Sequence, residues 1–77
     1  MTTIKETLEY IVKAITPAES KITIEEKAEN GIVILEISAP TELIGQIIGK
    51  EGKIIKSIRT ILNLTYPAIR FTLDIKE

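Results

Sequence analysis

The chain has 77 residues, 44% of them hydrophobic and only three aromatic, which fits one domain with an aliphatic core and argues against a disordered chain. It has no cysteine and no histidine, which excludes disulfides, thiolate metal sites, cysteine nucleophiles and the commonest neutral-pH base, and makes a reducing cytoplasm the expected setting. The net charge of −1 does not by itself announce a nucleic-acid partner, and the absence of a long apolar run or a basic-then-apolar leader predicts neither membrane span nor secretory signal.

Residues 3–15 predict an amphipathic helix, with Ile4, Leu8, Ile11, Val12 and Ile15 in one apolar stripe. Thr3 and Glu6 have capping-box spacing, and Pro17 ends the helix because the residue before proline avoids the α region. Residues 21–28 read as a strand, with Ile22 and Ile24 on one face and Thr23 and Glu25 on the other. Asn30-Gly31 is a hairpin signal, since both residues tolerate positive φ. The next strand, 32–39, is more apolar and is expected at the centre of its sheet. Val33, Leu35, Ile37 and Ala39 share one face, and Ile32, Ile34, Glu36 and Ser38 the other.

Pro40 stops that strand, and Thr41 is the expected N-cap of a short helix over 42–48. A second helix is expected over 52–63, with Ile54, Ile55, Ile58, Ile61 and Leu62 at helical spacing and Ile54, Ile58 and Ile61 in the core. A turn at Tyr66-Pro67 precedes a strand over 68–76, whose Ile69, Phe71, Leu73 and Ile75 alternate with Arg70, Thr72, Asp74 and Lys76. Tyr10 and Tyr66 read as boundary packing residues, and Asp74 as a surface residue.

The order α-β-β-α-α-β, with a right-handed crossover between the central and last strands, predicts a two-layer α+β fold. Its three-stranded mixed sheet would carry all three helices on one face. Ile32 and Ile34 would then lie on the uncovered face, either as ordinary scattered apolar residues or as part of a partner surface.

Charge is unevenly spread. Residues 1–41 carry four Lys/Arg and seven Asp/Glu, whereas residues 42–77 carry six and four. The positive charge gathers at Lys50, Lys53, Lys56 and Arg59, around the segment "IIGKEGKII" at 47–55. A phosphate loop of the form G-x-x-x-x-G-K-[ST] does not fit, since isoleucine follows Lys53 where a hydroxyl is needed. The dinucleotide pattern G-x-G-x-x-G is absent, and Gly45 with Gly49 is most simply a small-residue packing pair. What remains is Gly49-x-x-Gly52 between two helices. Either it is a plain helix corner, or it is a tight turn that admits a nucleic-acid backbone where Cβ atoms are missing. In the second case the helix N-terminus and Lys50 and Lys53 attract anions, and Ile47, Ile48 and Ile55 offer apolar surface to bases.

The succession of strand, short helix, Ile47-Ile48, Gly49-Lys50-Glu51-Gly52, Lys53-Ile54-Ile55, longer helix and strand resembles a KH domain. The N-terminal α-β extension resembles the type II arrangement. Over essentially its whole length, 1–77, the chain is similar to the small bacterial single-KH proteins of the KhpA family, and segment 40–62 carries most of the likeness.

The resemblance implies a single-stranded RNA-binding protein, an RNA chaperone or post-transcriptional regulator tied to cell shape; with neither His nor Cys, no phosphate loop and no paired carboxylates in a plausible cleft, no catalysis is expected, and no cofactor or metal. It implies a backbone clamp at Gly49, Lys50, Glu51 and Gly52, a groove floor of Ile44, Ile48 and Ile55, and supporting cations at Lys53, Lys56 and Arg59. Residues 69–71 would form the far wall, with Arg70 reaching a base or phosphate. Solvation alone is the competing explanation for the cationic row. Glu51 departs from the positive residues usual in such loops, so weak binding is expected. The resemblance also implies a homodimer or a complex with a KhpB (Jag-like) RNA-binding protein. The alternative is an interaction module whose RNA binding is weak or vestigial.

Overall fold

The computed structural model describes residues 3–76 and follows the expected order of elements. These are α1 (Ile4–Ile15), β1 (Thr23–Glu29), β2 (Ile32–Ser38), α2 (Thr41–Ile48), α3 (Lys53–Thr65) and β3 (Phe71–Lys76).

Helix α1 opens with the anticipated capping box. The Glu6 N–H donates to Thr3 Oγ1 at 3.1 Å, and the Thr3 N–H donates to Glu6 Oε1 at 3.2 Å. Two otherwise orphaned backbone donors are thereby satisfied. Thr16 adopts extended backbone ahead of Pro17 and ends the helix. Ile4, Leu8 and Val12 are buried, while Ile15, expected in the same stripe, is exposed at the helix end.

The sheet order is β1-β2-β3, with β1 antiparallel and β3 parallel to β2. The apolar strand is therefore the central one. A two-residue hairpin joins β1 to β2, Asn30 at φ 53° and Gly31 at φ 79°, with Glu29 paired to Ile32. Positive φ at both positions matches the right-handed twist of the flanking strands. Strand β3 begins at Phe71, three residues later than the alternation suggests, because the Ile69 N–H is bonded to the Tyr66 carbonyl of the preceding turn.

The helices lie over the face that carries Val33, Leu35 and Ile37. Leu8 and Val12 of α1, Ile47 of α2, and Ile58 and Leu62 of α3 join Leu35 and Ile37 in one buried cluster. Truncating any of these to alanine costs about 2–5 kcal/mol. Phe71, Leu73 and Ile75 pack at its margin.

Two expectations about this core are corrected. Ile54 and Ile61 are not buried but 37% and 45% exposed, because the sheet covers only the Ile58–Leu62 stripe of α3 and leaves the flanks of its apolar arc to solvent. Tyr10 is 78% exposed and is no boundary packing residue. Tyr66 is half-buried as expected, and its hydroxyl lies 2.6 Å from Thr7 Oγ1 and donates to the Thr3 carbonyl at 3.1 Å, fastening the α3–β3 turn to the start of α1.

On the other sheet face Ile32 and Ile34 are half-buried rather than open. Beside them Glu36 is almost fully buried and bridges the outer strands, 3.1 Å from Lys27 Nζ and 3.0 Å from Lys76 Nζ. The hydrogen bond from Lys76, then that from Lys27, holds the Glu36 carboxyl below its ordinary value. Among the described residues no helix is long and apolar enough to cross a membrane.

Candidate nucleic-acid interface

The G-x-x-G segment forms the corner between α2 and α3. Helix α2 presents Leu43, Ile44 and Ile47 to the core and ends at Gly49, whose N–H closes the last turn on the Gly45 carbonyl at 2.8 Å. Its other end departs from expectation. Thr41 is the first helical residue, and the N-cap is Pro40, which has no side-chain acceptor to offer. The Leu43 N–H bonds to the Pro40 carbonyl instead, at 2.9 Å.

Residues 50–52 make a single tight turn, closed by the Gly52 N–H on the Gly49 carbonyl at 3.1 Å. The turn visits positive φ three times: Gly49 at 77°, Glu51 at 58° and Gly52 at 73°. Gly52 is the N-cap of α3, which therefore runs from Lys53 to Thr65 rather than over 52–63. No side chain caps this end and its first turn has no acidic residue, so the positive pole of the helix, roughly half an elementary charge, meets no carboxylate within that turn; the Lys53 N–H is taken by the Lys50 carbonyl.

The two glycines do different work. A β-carbon built on Gly49 would lie 2.6 Å from Ile54 Cγ1, 2.8 Å from its Cβ and 2.9 Å from its Cδ1. The bare side of Gly49 is thus filled from within the protein. A β-carbon on Gly52 would touch nothing closer than Ile55 Cγ2 and Lys56 Cε, both at 4.0 Å. The bare side of Gly52 is free, and it lies beside Ile55 and Lys56.

The remaining residues singled out from the sequence divide by exposure. Lys50, Glu51, Lys53, Lys56 and Arg59 are exposed at the turn or along α3, and Ile48 and Ile55 are half-buried beneath it. Ile44 is 9% exposed and belongs to the core, so little of its surface is left for a ligand. Arg70 is exposed just ahead of β3, where its carbonyl accepts from the Val33 N–H at 2.8 Å. Helical spacing places Ile54 in the core, but its packing is against Gly49, between a turn and the helix that follows it, and hydrophobic periodicity registers only the face a helix turns toward the sheet. Among the described residues there is no cluster of carboxylates suited to a metal ion.

Comparison with known proteins agrees with this geometry. The chain is 43% identical over 58 residues to the RNA-binding protein KhpA of Chlamydia pneumoniae, covering 75% of this chain and 74% of that protein. It is 30% identical over 73 residues to the RNA-binding protein KhpA of Treponema pallidum, covering 92% and 91%. Among solved structures, APE1850 superposes with a TM-score of 0.66 and 31% identity over 90% of this chain and 49% of its own. Era, in a complex with MgGDPNP and nucleotides 1506–1542 of 16S ribosomal RNA, shares the fold at a TM-score of 0.53 and 23% identity over 94% of this chain. This chain spans only 28% of that Era chain. The family model for the KhpA/KhpB KH domain matches residues 5–73, and the chain belongs to that family.

Proposed function

We propose that this protein binds single-stranded RNA as a single KH domain over residues 1–77, acting in the cytoplasm as an RNA chaperone or post-transcriptional regulator rather than as an enzyme. The observation that carries this reading is the free side of Gly52, which adjoins Ile55, Lys56 and the uncapped start of α3. A sugar-phosphate backbone can approach that surface closely. Its phosphates would meet the positive end of α3 and the charges of Lys50, Lys53 and Lys56. Bases would lie over Ile48 and Ile55, with Arg59 and Arg70 at the margins. The absence of an aromatic residue from the turn and from α3 argues for weak stacking and low affinity.

Fluorescence anisotropy with short single-stranded RNA tests the reading. Gly52→Asp should remove binding without unfolding the protein: the new side chain meets no clash, and the left-handed backbone at φ 73° costs about 1 kcal/mol, which lowers the thermal midpoint by several degrees. Wild-type binding by that variant would refute the clamp. Contact with about three phosphates predicts a slope of roughly −2 for log affinity against log salt.

Self-association, or pairing with a KhpB-type partner, is a second reading supported by a different observation. Leu64 on α3 is 77% exposed, whereas Ile32 and Ile34 on the sheet face are half-buried beside the Glu36 ion bridge. Sedimentation of Leu64→Lys and Ile34→Lys variants separates the two surfaces. An unchanged association state in one of them excludes that surface.

A further inference from the structure

We propose that Ile54 is a positioning residue for the RNA-binding turn, holding Gly49 in the one conformation that presents Gly52 outward. The affinity arm of this inference rests on the RNA-binding reading above; the geometric arm does not.

Gly49 sits at φ 77° and ψ 173°, a region open essentially to glycine alone. Glycine has no preference of its own for that region, so the surroundings must select it. Two backbone hydrogen bonds do part of this, from the Gly49 N–H to Gly45 and from the Gly52 N–H to the Gly49 carbonyl. The remaining constraint is Ile54, whose Cβ, Cγ1 and Cδ1 occupy the space a Gly49 side chain would take. The contact closes a circuit of six residues, from the end of α2 to the second residue of α3. Isoleucine suits the task, because branching at Cβ leaves one strongly preferred χ1 rotamer in a helix.

Ile54 is 37% exposed and lies outside the buried cluster, so the core does not explain its size. The neighbouring side chains divide the work. Ile54 fills the bare side of Gly49, while Ile55 and Lys56 stand back from the bare side of Gly52. Ile54 therefore acts through Gly49 on the shape of the turn.

The test compares Ile54→Ala and Ile54→Val with Ile61→Ala, a control on the same helix of similar exposure and remote from the turn. Two quantities are read: exchange of the Gly52 amide hydrogen, and anisotropy with a fluorescein-labelled, random-sequence, single-stranded RNA octamer. Ile54→Ala should speed Gly52 exchange about tenfold while amides of α1 keep their wild-type rates. The same variant should weaken RNA binding about five- to tenfold. Ile54→Val keeps the Cβ and Cγ1 contacts and should restore both quantities to within about twofold of wild type. Ile61→Ala should change neither.

Gly52 exchange in Ile54→Ala within about twofold of wild type overturns the proposal, as does an equal change in Ile61→Ala. Faster exchange with unaltered affinity, in a wild type that binds RNA, overturns it as well. If the wild type binds no RNA but Ile54→Ala still frees the Gly52 amide, the positioning role stands and it is the RNA reading that fails.

Discussion

Among the described residues the chain turns left-handed in two places, and the two turns are built on different terms. In the β1–β2 hairpin the positive-φ residues are Asn30 and Gly31, the types that adopt this backbone at least cost, and a β-carbon on Gly31 would meet nothing within 4 Å. In the α2–α3 corner the non-glycine at positive φ is Glu51, a long charged side chain with no such aptitude. One of the flanking glycines is also packed against a side chain. The hairpin follows local preference throughout. The corner departs from it at Glu51 and is held by neighbours, the pattern expected where backbone shape serves recognition rather than chain reversal alone.

Substituting the packed glycine should separate the two turns most sharply. Gly49→Ala combines a disfavoured backbone with a clash against Ile54, and should lower stability by about 2–4 kcal/mol. Gly31→Ala meets the backbone penalty alone, about 1–2 kcal/mol. Thermal or urea denaturation measures both. Equal losses would mean that Ile54 yields freely and that the corner is no more constrained than the hairpin.

Asn30 supplies the next contrast. Asn30→Ala replaces a residue that tolerates the left-handed region with one that does not, and should cost about 1 kcal/mol in urea denaturation. Glu51→Asn makes the opposite exchange and should stabilise the protein by about 0.5–1 kcal/mol. A destabilising Glu51→Asn would show that Glu51 makes a compensating contact in the folded state.

Where local chemistry decides structure, the sequence was readable. Asn30-Gly31, Pro17 and the Thr3–Glu6 pair each act on neighbouring backbone, and each appears as expected. The α-β-β-α-α-β order and the parallel crossover followed from the period of apolar residues and the handedness of connections. Features that depend on distant residues were hidden. The Glu36 bridge needs Lys27 and Lys76 from two other strands, and the Tyr66 hydroxyl finds Thr7 fifty-nine residues away. In the site, spacing located the corner and its cations but treated Gly49 and Gly52 as equivalent. Their difference lies in the direction of Ile54 and Ile55, adjacent residues that leave the helix about 100° apart. Periodicity counts both simply as apolar.

Glu51→Gln is the smallest change and isolates charge from backbone. Glutamine has the size and the left-handed penalty of glutamate but no charge, so stability should stay within about 0.5 kcal/mol of wild type. RNA affinity should nonetheless rise about two- to threefold, because an exposed carboxylate beside phosphates repels them only through screening solvent. Glu51→Asn should show the same gain in affinity together with the gain in stability. Read side by side in anisotropy and denaturation, the pair decides what the corner pays for. Equal stability in both variants would mean that the backbone at position 51 is unstrained and that the corner owes its constraint to the packing of Gly49 alone. Unchanged affinity in both would place Glu51 away from the phosphates and shift the RNA path toward Lys53 and Lys56.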